Sequence, residues 1–410
     1  MLEEVITVAE ALARLDEALK PLWPDPPPAE RVPLLEALGR IVAEDIHAPQ
    51  ALPGFNRSTM DGYAVRAQDT YGASDGLPAL LQLKGHLPMG QRATEPLGPG
   101  EAIGIATGGM LPPGADGVVM VEYAQELGDG TLEVFKGIVP GENILLHDED
   151  LREGERILAK GWAVQPADLG ALAGVGILDI PVVQRPHVGI ISTGDEIVPP
   201  QLVPEPGQVR DINSYALAGA VLAAGGTVEL AGIVEDDYQA LQRAVEGLLP
   251  HCQIILLSGG SSVGTRDHTA KVIASLGEVL VHGVAVRPGK PTIIGTAGKR
   301  LILGLPGHPV SAGVIFSIFG GRAIDLWFRR QERGPQRKIQ ARINRNFPSA
   351  PGREDYVRVL VEEREDGYWA QPILAQSGAI NSLVQAHGLL KIPASREGYR
   401  QGDLVEVLLF

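Results

Sequence analysis

Three loops in the second half of the chain combine glycine with hydroxyl and carboxylate side chains, a composition that suits phosphate binding. They span residues 192–196, 258–264 and 305–311, and each follows an apolar run that predicts a strand. Glycine allows backbone N–H groups to approach a phosphate closely, and two of the loops lead into predicted helices whose N-termini attract anions. The alternative is three ordinary strand-to-helix turns. Three such loops on one sheet edge favour a phosphate-bearing ligand, although none matches the Walker or Rossmann patterns.

A rigid turn with the sequence Val-Arg-Pro-Gly-Lys-Pro, at 286–291, carries two cations between two predicted strands. Arg287 offers a bidentate fork and Lys290 a point charge, so the pair suits an oxyanion. A surface turn with two solvated charges is an equally good interpretation of these residues alone.

Carboxylates collect beside the glycine loops. Asp195 and Glu196 lie in the first loop, and Asp267 follows the second. Carboxylates next to a phosphate indicate a Mg²⁺ site. Asp236 and Asp237 precede a predicted helix, which favours helix capping for both, whereas capping and ligand binding are equally supported for Asp267.

Two polar turns lie in the first half of the chain, where chemistry is harder to infer. The segment 55–64 reads FNRSTMDGYA, and a second turn-rich segment spans 107–116. Asp-Gly is common in hairpins, and the second segment is equally consistent with a loop packed on itself. These residues alone do not separate a structural role from a functional one.

The histidines and the single cysteine predict no metal chemistry. His268 and His308 flank glycine loops, but no His-x-x-x-His or Glu-x-x-His pair occurs. A transition metal held by the usual imidazole pairs is therefore not expected. Cys252 stands at a strand entrance and is predicted to be buried and unreactive.

The elements that position these residues fall into four regions. Thr7 and Glu10 form a capping box that predicts a first helix ending at Pro21. Short β-like runs between Gly/Pro turns predict a β-rich module, and alternating strands and helices predict an α/β domain with a parallel central sheet. The predicted domains are a discontinuous mixed α/β domain over 1–50 and 144–181 (unless the first helix packs on the α/β domain), a β-rich module over 51–143, an α/β domain over 182–330, and a C-terminal β-barrel-like module over 331–410.

Composition excludes several classes of protein. One cysteine in 410 residues rules out an intramolecular disulfide, cysteine-based zinc fingers and iron–sulfur sites, and a net charge of −15 argues against nucleic-acid binding. The acidic N-terminus does not resemble a signal peptide, and the sequence predicts no stretch of about 18 apolar residues, so a cytoplasmic protein without membrane spans is expected. The 51 glycines and 32 prolines are concentrated at defined turns.

Eight segments, in the same order, resemble the molybdopterin molybdenumtransferases (MoeA, and the gephyrin E domain in animals). They are FNRSTMDGYAV (55–65), ATGGMLPPGADGVVMVE (106–122), GENILLHDEDLREG (141–154), IISTGDEIV (190–198), GQVRDINSYAL (207–217), SGGSSVGTRDHT (258–269), VRPGKP (286–291) and GLPGHPVSA (304–312). Each segment alone is a weak signal, whereas eight in order are highly specific.

The resemblance implies a fold and an activity. It implies a four-domain chain with a molybdopterin-binding α/β domain, an elongated mixed domain and two β modules. It also implies an elongated homodimer, in which the site lies between the α/β domain of one subunit and the STMDG module of the other. Such an enzyme inserts molybdate into adenylylated molybdopterin, cleaving the adenylate with Mg²⁺ and releasing AMP. Molybdopterin adenylyltransferase and downstream cofactor carriers are the candidate protein partners.

The resemblance also assigns roles to individual residues. Catalytic roles fall to Asp61, Thr107, Asp150, Asp195 and Glu196, and Mg²⁺ binding to Asp61, Asp195 and Glu196. Pterin and phosphate contacts fall to Ser192, Thr193, Gly194, Ser258, Gly259, Gly260, Ser262, Gly264, Asp267, Pro306 and Gly307. The molybdate pocket is assigned to Arg287, Lys290, Pro309, Ser311, Arg353 and Ser377.

Three departures from the family pattern leave the choice of oxyanion open. Arg266 and His268 are unusual in the second glycine loop, His308 replaces a common Asn, and Gly283 stands where many members have Lys. A tungstate-preferring paralogue, a molybdopterin adenylyltransferase and a non-catalytic pterin-binding scaffold are the alternatives to the molybdenumtransferase.

Overall fold

The computed structural model describes residues 5–259, 265–329 and 338–410; for 265–267 it describes the backbone alone. The chain divides into two compact units. One, here called the insert unit, is Arg31–Val182. The other, the main unit, combines Met1–Glu30 with Val183–Phe410.

The first helix, α1 (Val8–Leu22), belongs to the main unit. It begins with the predicted capping box, in which Glu10 N–H donates to Thr7 Oγ1 and Thr7 N–H donates to Glu10 Oε2. Its apolar face packs against the helix Gly321–Trp327 and the strand Glu278–His282. These contacts bury Leu15 and Leu19 completely, and the first helix thus packs on the α/β domain.

The insert unit contains a mixed α/β part and a β-rich part. Its elements are β1 (Ala29–Pro33), β2 (Ile46–His47), β3 (Arg57–Ser58), β4 (Gly62–Val65), β5 (Ala79–Leu87), β6 (Glu101–Ile105), β7 (Gly117–Met120), β8 (Ala124–Glu126), β9 (Thr131–Val134), β10 (Ile144–Leu145), β11 (Arg156–Leu158), α2 (Pro166–Gly174) and β12 (Asp179–Val183), with single 3₁₀ turns at Leu34–Ala37, Ala67–Thr70 and Val121–Tyr123.

Each part of the insert unit has its own core. The β-rich part is a six-stranded sheet in the order β7-β4-β6-β5-β9-β8, over a core that includes Leu81, Val119 and Leu132. In the mixed part, residues from 32–46 and 158–182 share one core around Leu172 and Ile180. Two chain segments that flank the β-rich part in the sequence therefore fold together around one core.

The α/β domain of the main unit has a six-stranded sheet in the order β16-β13-β17-β21-β20-β18. Its elements are β13 (His187–Thr193), β14 (Ile197–Val198), β15 (Val209–Arg210), α3 (Asn213–Ala224), β16 (Thr227–Val234), α4 (Tyr238–Leu248), β17 (Ile254–Gly259), α5 (Thr265–Leu276), β18 (Glu278–His282), β19 (Val286–Arg287), β20 (Ile293–Ala297), β21 (Arg300–Pro306), α6 (Pro309–Ile315), a π turn at Phe316–Gly320, and α7 (Gly321–Trp327).

The sheet is mixed, which corrects the prediction of a purely parallel one. β16, β13, β17 and β21 run parallel, but β20 pairs antiparallel with β21, and β18 antiparallel with β20. The link between β20 and β21 is too short for a crossover helix, because Ala297 already pairs with Arg300.

The helical stretch Pro309–Trp327 corrects a second expectation. It is 19 residues long and apolar enough to cross a membrane, although the sequence analysis predicted no such stretch. In the structure 72% of it is buried within the domain, where Phe319 and Ile324 are completely covered. It is therefore a core helix of the α/β domain.

The C-terminal module is a closed five-stranded barrel. Its elements are β22 (Lys338–Ile343), β23 (Phe347–Pro348), β24 (Glu354–Arg364), β25 (Gly367–Pro372), α8 (Asn381–Gln385), β26 (Gly388–Ile392), β27 (Gly398–Tyr399) and β28 (Leu404–Leu409). The order β24-β25-β22-β28-β26 closes through pairing of β26 with β24. β19 pairs in parallel with β24, which joins the barrel to the α/β domain.

Gly62 fixes the strand that follows Asp61, and this gives a first prediction. A Cβ on Gly62 would lie 1.9 Å from the carbonyl oxygen of Val119 on the neighbouring strand β7. Gly62→Ala should therefore lower the free energy of unfolding by about 1–3 kcal/mol, because backbone must move to admit the methyl group. Urea unfolding measures this loss. Gly54→Ala is the matched control, since nothing lies within 4 Å of its added Cβ. Equal midpoints for both variants would contradict the prediction.

Candidate active site

The three glycine loops begin at one edge of the α/β sheet, as predicted. Parallel pairing sets Ser192 on β13 opposite Ser258 on β17, and Ser258 opposite Leu305 on β21. The three strands therefore end at the same level, and their loops share the carboxyl edge. This edge is where open α/β sheets bind ligands.

A buried hydrogen-bond network holds these loops in place. Ser192 Oγ donates to Asp211 Oδ1 at 2.9 Å and lies 2.8 Å from Ser214 Oγ. Asn213 Nδ2 donates to Ser258 Oγ at 2.8 Å and to the carbonyl of Gly307 at 2.7 Å. Asn213 thereby connects the second and third loops, a role that the segment 207–217 does not reveal in the sequence alone. Ligand contacts from Ser192 and Ser258 stay predictions.

Three carboxylates gather at the first loop. Asp236 N–H donates to Asp195 Oδ1 at 3.3 Å, and the carboxylate of Glu196 folds over Gly194, whose added Cβ would lie 2.9 Å from it. Burial raises the pKa of Asp236; nearby His268 opposes this, while Asp195 and Glu196 add to it. The site therefore concentrates negative charge.

The two aspartates before α4 have different roles. Asp237 is the N-cap of α4 and accepts hydrogen bonds from Gln239 N–H and Ala240 N–H at 2.9 Å. Asp236 belongs instead to the carboxylate cluster at the first loop. The capping interpretation is thus confirmed for Asp237, and the prediction that both residues cap the helix is wrong for Asp236.

Buried polar atoms without partners point to a ligand at the same edge. Within the described residues, Thr193 Oγ1, Asn213 Oδ1 and His268 Nδ1 are buried and make no hydrogen bond. His268 Nδ1 lies 4.0 Å from Asp236 Oδ1. An unpaired buried donor or acceptor is costly, so such atoms are expected where a polar ligand completes the site.

Glycine at 259 has a packing role besides any contact with phosphate. A Cβ there would lie 2.6 Å from Thr193 Cγ2 on the neighbouring strand. The predictions for Gly260, Ser262, Gly264 and the side chains of Arg266 and Asp267 lie outside the described residues. Pro306 and Gly307 lie at the end of β21, where Gly307 is held by Asn213.

A basic cavity of about 950 Å³ lies within the main unit, between the 286–291 turn and the barrel. Backbone pairing of β19 with β24 sets Arg287 opposite Asp355 and so builds one wall. The cavity brings together most of the predicted molybdate residues, with four cations and one carboxylate in its lining. Its polar side chains are Arg287, Lys290, His308, Ser311, Arg353, Asp355, Tyr356, Arg358, Gln376 and Ser377, and Pro309 is not among the lining residues.

Asp355 organises two of the arginines in this cavity. Its side chain is only 3% exposed; Arg353 Nε donates to its Oδ1 at 3.0 Å, and Arg287 Nη1 lies 3.8 Å from its Oδ2. Arg287 itself is 64% exposed and can also contact a ligand. Asp355 could not be identified from the sequence, because its pairing with Arg287 depends on contact between two domains.

His308 and Ser377 connect the third glycine loop to the barrel. His308 Nδ1 lies 2.8 Å from Ser377 Oγ, and Val310 N–H donates to the carbonyl of Ser377 at 3.1 Å. Arg358 fixes the preceding segment by donating to the carbonyls of Ala375 and Gln376 and to Ser382 Oγ, and burial lowers its pKa. His at 308 therefore makes a hydrogen bond to the cavity wall.

Gly283, another of the departures, has φ +109°, a backbone conformation that residues with side chains rarely adopt. A lysine at this position would be strained in this backbone. Among the described residues, Lys290 forms no ion pair and is exposed, so its charge is available to a ligand.

In the insert unit, Asp61 and Thr107 form a defined pair. Asp61 Oδ1 accepts hydrogen bonds from Thr107 N–H at 2.7 Å and from Thr107 Oγ1 at 2.9 Å. The hydrogen bond from Thr107 N–H lowers the pKa of Asp61 most, and the bond from Thr107 Oγ1 lowers it further, so the carboxylate stays ionised. Asp61 lines a small cavity of about 270 Å³ with Gly62 and His86.

Asp150 is exposed, and its N–H donates to the carbonyl of Leu52. Its catalytic role stays a prediction.

Family models and known proteins match nearly the full length of the chain. The MoeA N-terminal region (domain I and II) matches residues 6–176, a "Probable molybdopterin binding domain" matches 189–325, and the MoeA C-terminal region (domain IV) matches 340–410. A protein of Methanocaldococcus jannaschii that is named for molybdopterin biosynthesis is 39% identical over 93% of this chain and 92% of its own. The molybdopterin molybdenumtransferase of Bacillus subtilis is 34% identical over 93% of this chain and 89% of its own. The crystal structure of a molybdopterin biosynthesis MoeA protein from Pyrococcus horikoshii covers 99% of both chains with a TM-score of 0.84 and 37% identity.

The Asp61–Thr107 pair gives a second prediction. Thr107→Val removes the hydroxyl donor but retains the backbone donor, so the pKa of Asp61 should rise part of the way toward its ordinary value. Carboxyl-carbon NMR titration of Asp61 measures the shift. Thr131→Val, which removes a threonine hydroxyl elsewhere in the same sheet, should leave the Asp61 midpoint unchanged. An unchanged midpoint in Thr107→Val would show that the side-chain hydrogen bond does not form in solution.

Proposed function

Because this chain belongs to the MoeA family of molybdenum cofactor biosynthesis, we propose that it is a molybdopterin molybdenumtransferase acting on adenylylated molybdopterin and molybdate. Water cleaves the phosphoanhydride bond of the adenylate, so that AMP leaves and the pterin keeps its terminal phosphate. The two dithiolene thiols bind molybdenum, and their protons leave with one oxygen of molybdate as water, without a redox step. The basic cavity beside the carboxyl edge of the α/β sheet is the observation that supports this proposal most directly.

The basic cavity suits a dianionic oxyanion such as molybdate. Arg353 is hydrogen-bonded to Asp355, so little of its conformational entropy is lost when an anion binds, and Arg287 lies 3.8 Å from the same carboxylate. Lys290 adds a mobile charge, and Ser311 and Ser377 add hydroxyl groups. Cations outnumber carboxylates in the lining, which leaves positive charge for the ligand. Tungstate has the same charge, so both oxyanions must be compared.

The carboxyl edge of the sheet suits the phosphate groups of the substrate and a hard cation. Oxygen donors from Asp195, Glu196 and Asp236 match the ligand preference of Mg²⁺, and the unpaired Thr193 Oγ1 lies at the same loop. When bound, Mg²⁺ would neutralise charge on the phosphates during cleavage. Backbone N–H groups at the start of α6 favour anions near the third loop.

Asp61 is proposed as the essential carboxylate of the insert unit. Thr107 keeps it ionised and fixes its orientation, which suits either a cation ligand or a group that orients water. We also propose that the enzyme is a cytoplasmic homodimer, in which Asp61 of one subunit completes the site of the other.

The activity itself separates the proposal from its alternatives. Incubation with adenylylated molybdopterin, molybdate and Mg²⁺ should release AMP and yield cofactor that activates an apo-molybdoenzyme. Formation of the adenylate from molybdopterin and ATP would instead identify an adenylyltransferase. Pterin binding without turnover would identify a scaffold, and turnover with tungstate alone would identify a tungstate enzyme.

The basic cavity gives a third prediction. Arg287→Ala should raise the KM for molybdate about tenfold to a hundredfold, because one charge-assisted contact is lost. The KM for adenylylated molybdopterin should change much less. Arg345→Ala is the matched control, because it also removes one positive charge, but from an exposed barrel residue that does not line the cavity. Equal effects of the two substitutions would show that the KM for molybdate depends only on the overall electrostatic potential of the protein.

The shared site gives a fourth prediction. Asp61→Asn and Asp195→Asn homodimers should each lose about 10²-fold in turnover, as expected for a group that acts in the reaction. Mixed dimers that pair one Asp61→Asn subunit with one Asp195→Asn subunit, purified with two different tags, should recover up to half of the wild-type rate. In such a dimer one of the two sites holds both carboxylates and the other holds neither. Mixed dimers as inactive as the parents would place both residues in a single subunit's site.

A further inference from the structure

A cluster of two histidines, a glutamate and the single cysteine lies in the α/β domain. One ligand atom each from His187, Glu229, His251 and Cys252 falls within 4.8 Å of all the others. His187 begins β13, Glu229 lies near the start of β16, and the other two precede β17. The cluster therefore lies at the amino edge of the sheet, opposite the edge that carries the glycine loops.

Strand register dictates this convergence. His187 pairs with Thr227 and Gly189 with Glu229, so His187 and Glu229 project from the same face of adjacent parallel strands. Cys252 follows α4 and packs over Gly189, where an added Cβ would lie 3.2 Å from its Sγ. The absence of a side chain at 189 thus leaves room for the sulfur.

The ligand atoms of the cluster lie close to the separations of a tetrahedral metal site. Glu229 Oε2 lies 3.2 Å from His187 Nε2 and 2.7 Å from His251 Nε2. Ligand atoms at Zn²⁺ bond lengths of about 2.0–2.3 Å are roughly 3.3–3.7 Å apart in a tetrahedron, so small side-chain movements would admit the ion. Two imidazoles, a carboxylate and a thiolate are all common ligands of Zn²⁺.

A second contact orients one of the imidazoles. His187 Nδ1 lies 2.8 Å from Thr227 Oγ1. When Nδ1–H donates to this hydroxyl, neutral His187 directs the lone pair of Nε2 at the cluster. Histidine ligands of metals regularly have such a partner on the other ring nitrogen.

We propose that His187, Glu229, His251 and Cys252 form a structural Zn²⁺ site that joins the amino ends of β13, β16 and β17. The two histidines and the glutamate are partly exposed, so the ion can enter from solvent, whereas the sulfur is fully buried. Binding releases the thiol proton of Cys252 to solvent, with no redox step. Four protein ligands leave no open position, so the role is structural rather than catalytic.

The experiment uses the full-length protein after treatment with a chelator. Addition of Zn²⁺ alone, in competition with a chromophoric chelator, should show one equivalent bound and a raised Tm. His187→Gln and His251→Gln should each weaken this binding at least tenfold. His282→Gln is the matched control, since it lies on β18 at the far edge of the same sheet. No stoichiometric binding, or equal binding by all three variants, would overturn the proposal.

Co²⁺ tests the cysteine without a variant that risks misfolding. The Co²⁺ complex of the wild-type protein should show the visible bands of a tetrahedral ion and a near-ultraviolet band of thiolate-to-cobalt charge transfer. Loss of both bands in His251→Gln would support the site. Octahedral spectra without the thiolate band would refute it, because Cys252 would then not be a ligand.

Discussion

The level pairing of β13, β17 and β21 is the constraint on which the main unit depends. Because Ser192, Ser258 and Leu305 lie in register, three loops leave the sheet at one edge. The strand ends are buried but carry Ser192 and Ser258, so the polar groups there must find internal partners. Asn213 and Asp211 supply them, and the bonds of Asn213 also connect the described start of the second loop, at Ser258, to Gly307 in the third. Fold and site are thus built by one network.

Charge is distributed in a way that the net value of −15 conceals. The buried carboxylate of Asp355 would be costly alone, and Arg287 and Arg353 compensate it from two different domains. Their alignment follows from backbone pairing of β19 with β24, which does not depend on a ligand. The cavity is therefore preorganised by an interaction that also holds the barrel on the α/β domain. Under the proposed function, the acidic residues at the first glycine loop would suit a cation on the phosphates of one substrate, and the basic residues of the cavity would suit the oxyanion substrate.

Local patterns in the sequence were sufficient wherever structure depends on neighbouring residues. The capping box at Thr7 and Glu10 and the edge shared by the glycine loops follow from periodicity and turn chemistry. What could not be predicted depends on pairing across long separations. Asp355 gains its role only from contact with β19, and the direction of β20 only from its hairpin with β21. Asp236 and Asp237 look alike in sequence, and only the fold makes one a helix cap and the other part of a carboxylate cluster.

The cluster at the amino edge could not be predicted from the sequence for the same reason. Its glutamate is 42 residues from His187 and 22 from His251 along the chain, so no short spacing pattern can reveal it. The strand that begins with His187 ends with Thr193, which borders the ligand loops about 20 Å away at the usual rise per residue. At that distance a bound ion cannot touch the substrate. It can restrain the strand ends on which the register of the ligand loops depends, so stability and chemistry are assigned to opposite edges of one sheet.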